Sequence, residues 1–204
     1  MDIDAFILIG GRSCRFGSDK AFAEIGGQML AGRAAETVEI GLSPEHLRFV
    51  TASDNQFAGD LIFGLGRPVV ADLKPGHGAW SGLHTALAYS QSDWVFVLAC
   101  DLPFVTPVLL EKLAGSVADD IDAVVPRQSD GRLQPLCSFY RRVPVLNEVE
   151  HRMATSKLLP PITEVFSGLN VRMVEFEEYG DLAGSEEFFV NVNSIRDLPV
   201  GHRV

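Results

Sequence analysis

Residues 5–20 read AFILIGGRSCRFGSDK, and the passage from its apolar start to its cationic end decides the fold. Ala5-Phe-Ile-Leu-Ile9 is apolar at every position and shows no alternation, which marks a strand covered on both faces. It breaks directly into Gly10-Gly11. Arg12, Arg15 and Lys20 then fall within nine residues of an otherwise acidic chain. This is not a Walker loop, because no lysine follows Gly17 and no Ser or Thr follows Lys20. GxGxxG is absent, so it is not a dinucleotide fingerprint either. The physics is still that of an anion cradle: glycines let backbone N–H groups approach a phosphate, and the cations offset its charge. The plainer reading is a surface loop whose cations keep it solvated.

Outward from this stretch, strand and helix patterns alternate. Leu30, Ala34 and Val38 recur at helical spacing, predicting a helix over Gln28–Ile40. Leu47–Thr51 and Pro68–Ala71 read as strands. Trp80, Leu83 and Leu87 share one face of a helix over Ala79–Gln91. Trp94–Ala99 is the strongest strand signal, β-branched, aromatic and apolar throughout. Thr106-Pro107 has the form of an N-cap and a first-turn proline, opening a helix to about Gly115. Asp122–Pro126, Leu136–Tyr140 and Val171–Phe176 complete the strands. The alternation implies βαβ units, hence an α/β fold with a mainly parallel central sheet flanked by helices. No repeat, low-complexity tract or polar linker interrupts it, so a single domain over residues 1–204 is expected. Ligands of such sheets bind beyond the carboxyl ends of the strands.

Composition narrows the partners. The 204 residues are 47% hydrophobic and 22% charged, ordinary for a globular chain and unlike a disordered or fibrous one. Lys and Arg number 17 against 27 Asp and Glu, leaving a net charge of −10. That field repels phosphate backbones and argues against nucleic acid, so an anionic substrate needs a local basic pocket. No apolar run approaches the roughly 20 residues of a membrane span. Met1-Asp2-Ile3-Asp4 is acidic where a secretory signal is basic. Cys14, Cys100 and Cys137 are odd in number and form no CxxC pair, which favours a reducing cytoplasm over a disulfide framework or zinc site.

Other segments carry polar groups at strand ends. Cys100-Asp101-Leu-Pro-Phe104 follows the central strand, where a carboxylate suits a hard, phosphate-bound cation. A turn aspartate satisfying local N–H groups before Pro103 is the alternative. Asp72 ends another strand, with a capping or turn role as its alternative. Asn191 and Asn193 near the end read equally as turn asparagines.

The spacing GGxSxRFGxDK after an N-terminal strand resembles that of the molybdenum cofactor guanylyltransferases and their nucleotidyltransferase relatives. Similar stretches recur near residues 8–26, 70–82, 98–104, 132–141 and 188–198, in the family's order over almost the whole chain. The resemblance implies a Rossmann-like nucleotidyltransferase fold. It implies that Leu8, Ile9, Gly10 and Gly11 contact a guanine base, with Ile9 standing where the family usually has alanine. Arg15 and Lys20 then hold the triphosphate, and Asp101 binds both the nucleotide and Mg2+, so that Arg15, Lys20 and Asp101 form the catalytic set. Asp72 is a nucleotide contact. The family's asparagine after the second strand falls on Ser53, with Asp54 or Asn55 as substitutes. Gly76–Gly82 resembles the stretch that opens a helix over the nucleotide, and His77 is given no chemistry. Gln134 falls on the acceptor-side strand, and Asn191 and Asn193 on the Asn-Val-Asn signature that closes the site, where amides can pair with a pterin or complete a metal's ligands.

The reaction so implied joins GMP from GTP to the terminal phosphate of molybdopterin and releases pyrophosphate. Implied partners are GTP, molybdopterin and, transiently, cofactor-delivery proteins and acceptor molybdoenzymes. A related cytidylyltransferase or sugar-phosphate nucleotidyltransferase is one alternative, and Gly10-Gly11 favours a purine over it. A non-catalytic nucleotide-binding module is another, opposed by the joint presence of Arg15, Lys20 and Asp101.

Overall fold

Strand β1 (Ile3–Leu8) is buried at all six positions, as an apolar run without alternation requires. The structure, a computed structural model, describes residues 2–9, 23–52 and 66–192. On one side β1 pairs in parallel with β4 (His46–Thr51), itself paired with β5 (Val69–Ala71). On the other side lies β6 (Trp94–Ala99), again parallel and buried at all six positions. The strands β7 (Ala123–Pro126), β8 (Cys137–Arg141) and β9 (Val171–Val174) complete a seven-stranded sheet of order β5-β4-β1-β6-β8-β7-β9. Within that sheet only β8 is antiparallel to its neighbours. It is reached from β7 through residues 127–136, too short for a crossover, so the chain returns as a hairpin closed by the Arg127–Leu133 bridge.

Alternation along β1 divides the core into two layers. Ile3, Ala5 and Ile7 pack with Ala31, Ala34 and Val38 of helix α1 (Leu30–Leu42) and with Leu109, Leu110 and Leu113 of the helix Pro107–Ala114, here α3. Phe6 and Leu8 face the other way, against Trp80, Leu83 and Leu87 of α2 (Ala79–Tyr89) and with Val145 and Val149 of α4 (Arg142–Thr155). Helices α1 and α3 cross closely at Gly41, where an added Cβ would stand 2.8 Å from the Pro107 carbonyl oxygen. Among the described residues no helix is long and apolar enough to cross a membrane.

Several boundaries differ from those predicted, each for a local reason. β1 starts at Ile3 rather than Ala5 because Asp4, fully buried, is satisfied on both oxygens. Oδ1 pairs with His46 Nδ1 at 2.9 Å, and Oδ2 accepts from the Ser90 hydroxyl at 2.8 Å and Gln91 N–H at 2.9 Å. Burial works to raise the Asp4 carboxyl, but these partners outweigh it and hold the group below the usual carboxylate range. Gln28 and Met29 are not helical. They form β3, which pairs with β2 (Glu24–Ile25) across a turn whose Gly26 and Gly27 both have positive φ, 60° and 78°. The helix therefore begins at Leu30. The apolar pattern does not announce α4, since only Val145 and Val149 of its 14 residues are buried and Pro144 sits in its first turn. Val171–Phe176 is strand only to Val174, and a 3₁₀ turn, Phe176–Glu178, follows under a Glu175–Glu178 capping box. The Thr106-Pro107 start is as predicted, Thr106 Oγ1 accepting from Leu109 N–H at 3.4 Å.

Candidate active site

The parallel strands bring their carboxyl ends to one edge, and the chain emerging there is tied down by backbone bonds. Ile9 N–H donates to Val50 O at 2.9 Å, Asp72 N–H to Thr51 O at 2.8 Å and Cys100 N–H to Leu8 O at 3.1 Å. Leu8 is 9% exposed, and its side chain lies against Gly82 so closely that a Cβ there would stand 2.9 Å from Leu8 Cδ1. Glycine at 82 thus lets α2 approach the end of β1. The Ile9 side chain, 3% exposed, packs in the core layer shared with α1.

Asp101 follows β6 in a turn held from two sides. Arg33 of α1 donates from Nε to Pro103 O at 2.7 Å. From the chain's far end, Asn191 Nδ2 donates to Asp101 Oδ2 at 2.8 Å and Val192 N–H donates to Asp101 O at 3.0 Å. Val192 is itself 2% exposed, clustered with Ile25, Leu30 and Phe104. Apolar docking of Val192 therefore fixes the polar contact beside it. Cys100, next to Asp101, is buried, and Cys137 is buried with its thiol pushed up by that burial, so neither has the character of a nucleophile.

Asp72 follows β5 and is half-buried. Burial pushes its carboxyl up to about 6, opposed in part by the Thr85 hydroxyl, which donates to Oδ1 at 3.4 Å. The segment after Asp72 turns through Gly76 (φ 98°) and Gly78 (φ 58°), left-handed positions suited to glycine, before α2 begins. From Asp72 to Asp101 the edge crosses three strand spacings of about 4.8 Å, roughly 14 Å in all. Gln134 lies beyond β6 on the same edge. Its N–H donates to Pro126 O at 3.0 Å, while Leu136 O accepts from Ala99 N–H at 2.8 Å and ties the segment to the strand that leads to Asp101.

Six of the predicted positions, Leu8, Ile9, Asp72, Asp101, Gln134 and Asn191, thus meet at one edge of the sheet. Gly10, Gly11, Arg15, Lys20, Ser53 and Asn193 lie outside the described residues. Arg33, Ser81 and Thr85 also shape this edge, though the sequence reading gives them no role. The signal for two of them is present as hydroxyls one turn apart on a mostly apolar helix. Among the described residues no group of three or more His, Cys, Asp or Glu side chains converges to hold a metal unaided. The Asp101 carboxylate is itself a hard oxygen donor, a type that suits a hard divalent cation better than a soft transition metal.

Acidic side chains at the carboxyl ends of a mainly parallel sheet are placed where α/β enzymes meet their nucleotides, and this chain is a nucleotidyltransferase. It belongs to the family described as the MobA-like NTP transferase domain, which matches residues 5–165. It is 33% identical over 192 residues to a probable molybdenum cofactor guanylyltransferase of Pelotomaculum thermopropionicum, covering 94% of this chain and 88% of that one. A molybdenum cofactor guanylyltransferase of Desulfosudis oleivorans is 27% identical over 197 residues, covering 96% and 92%. Among solved structures, the molybdopterin-guanine dinucleotide biosynthesis protein A of Archaeoglobus fulgidus superposes with a TM-score of 0.75 at 28% identity, covering 95% of this chain and 94% of that one.

Proposed function

We propose that this protein transfers GMP from GTP to the terminal phosphate of molybdopterin, releasing pyrophosphate and forming the guanine dinucleotide of the cofactor. The observation that carries this reading is the Asp101–Asn191 pair closing the end of β6, in a chain whose near full-length relatives bear the guanylyltransferase name. The reaction sets one anion against another. An oxygen of the acceptor phosphate forms a bond to the α-phosphorus of GTP as the bond from that phosphorus to the pyrophosphate oxygen breaks. A phosphate monoester is largely dianionic at pH 7, its second pKa being about 6, so no protein base is required. Charge compensation and alignment are required instead.

Asp101 is the residue assigned to hold Mg2+, with Asn191 orienting the carboxylate and Asn193 a further candidate. Bound there, Mg2+ supplies neutralisation of the triphosphate charge. Arg15 and Lys20 grip the triphosphate, and Gly10 and Gly11 offer backbone N–H groups to the base or phosphates. Leu8 is assigned to the guanine through its main chain, because its side chain is packed in the core against Gly82. Ile9 contributes through its main chain, because its side chain is committed to the core. Asp72 meets the nucleoside side of GTP, and Gln134 the pterin side. The whole chain then works as one nucleotidyltransferase domain in the cytoplasm, drawing molybdopterin from a delivery protein and passing the product to molybdoenzymes. Incubation with molybdopterin, GTP and Mg2+, followed by mass detection of the dinucleotide, tests the reading.

A further inference from the structure

Helix α2 is buried at eight consecutive residues, Trp80–Leu87, so each hydroxyl on it needs a partner. A serine or threonine in a helix ordinarily bonds back to the carbonyl one turn earlier. Ser81 and Thr85, both 0% exposed, instead reach out of the helix. Ser81 Oγ donates to Lys74 O at 2.6 Å and accepts from His77 N–H at 3.0 Å. Thr85 Oγ1 accepts from Leu73 N–H at 3.0 Å and donates to Asp72 Oδ1 at 3.4 Å. All four bonds go to the segment Asp72–His77. A helix that only needed to cap this turn would be served by main-chain partners alone, yet Thr85 also takes a carboxylate oxygen.

We infer that Thr85 is a positioning residue: its hydroxyl fixes Leu73 and aims the Asp72 carboxylate at the nucleotide, while Ser81 one turn earlier holds the rest of the loop. The Asp72 main chain is already set by its bond to Thr51 O, which leaves the side-chain torsions as the freedom that Thr85 removes. The 3.4 Å separation is long for a hydroxyl bond, so the hold is light and much of it passes through Leu73. This inference rests on the reading of Asp72 as a nucleotide contact.

The test compares Thr85→Val, which keeps the shape and loses the hydroxyl, with Thr85→Ser, which keeps the hydroxyl, and with Asp72→Asn. GTP binding with Mg2+ is measured by calorimetry, GTP-dependent turnover by steady-state kinetics and folding by thermal melting. Thr85→Val is expected to weaken GTP binding about tenfold, raising KM while kcat at saturating GTP stays within about twofold. Thr85→Ser is expected to bind within about twofold of the parent. Asp72→Ala combined with Thr85→Val should bind no more weakly than Asp72→Ala alone, because Thr85 reaches the nucleotide only through the Asp72 side chain that is then absent. If Thr85→Val melts too early to assay, Thr85→Ala is read against Thr85→Ser in its place. Parent-like GTP binding in the hydroxyl-free variant, with Asp72→Asn impaired, overturns the positioning role and leaves the nucleotide site standing. Equal losses in the serine and valine variants overturn it too, since the methyl group would then be what matters. Parent-like binding in Asp72→Asn removes Asp72 from the nucleotide site and this inference with it.

Discussion

Asn191 donates its side-chain amide to Asp101 Oδ2 at 2.8 Å, joining two residues 90 positions apart. The adjoining Val192 N–H also bonds the Asp101 carbonyl, so the same aspartate is gripped through main chain and side chain by one segment. A carboxylate held this way keeps its orientation before any ligand arrives, which is where a preorganised charge is worth most.

Asp101→Asn keeps the size and the turn but removes the charge. Turnover at matched Mg2+ should fall about 10²–10³-fold, the usual loss for one charge-stabilising group, with melting little changed. Asn191→Ala should cost less, about tenfold in kcat, because it loosens the carboxylate without removing it. Parent-like activity in Asp101→Asn, read by pyrophosphate release, takes Asp101 out of the mechanism.

Lys20→Ala should weaken GTP binding and slow transfer by losing an ammonium at the triphosphate. Arg15→Lys should also bind less well, since one ammonium cannot reproduce a two-pronged guanidinium. Calorimetry with GTP and Mg2+ checks both, and normal binding in the pair would make the loop an ordinary surface.

The Asp72 carboxyl, pushed up to about 6 from an ordinary value of 3.8, sets a pH dependence of stability. Its folded pKa lies above its unfolded one, so the folded state holds the proton more tightly. The associated stability is complete below about pH 3.8 and is lost as pH rises through about 6. Asp72→Asn should therefore match the parent near pH 3.5 and gain on it between pH 4 and 6. Above pH 7 the gain should level off at about 1 kcal/mol, allowing for a carboxyl half open to water. Denaturant melts across this range test the sign.

Ile9 is buried with the α1 layer, so Ile9→Ala should cost about 2–4 kcal/mol of stability while leaving GTP affinity within about twofold. Urea titration and calorimetry on the same sample separate the two effects. Tighter GTP binding would show instead that the side chain crowds the base.

Features set by neighbours in the chain were the legible ones. Trp94–Ala99 is apolar throughout and forms a strand over the predicted span, and Thr106-Pro107 starts a helix as its local chemistry requires. Asp72 and Asp101 could be placed at the sheet edge because the strands before them could be read. The direction of β8 could not, since an apolar run such as Leu136–Tyr140 reports burial and not orientation. Nor does periodicity disclose that Gly26-Gly27 folds Gln28 back onto a ribbon before the helix begins. The supports of the candidate site were hidden for a different reason. Arg33 acts on a carbonyl 70 residues away, and Ser81 and Thr85 act on a loop whose return to α2 no local pattern encodes.

Base choice is the most direct test of the central claim. The purified protein is incubated with molybdopterin and Mg2+ together with GTP or CTP, and the products are identified by mass. The guanylyl account predicts the guanine dinucleotide with stoichiometric pyrophosphate. It also predicts that GTP exceeds CTP by at least about tenfold in kcat/KM, which needs only about 1.4 kcal/mol of discrimination. Equal or better use of CTP, or release of pyrophosphate without the guanine dinucleotide, would contradict it.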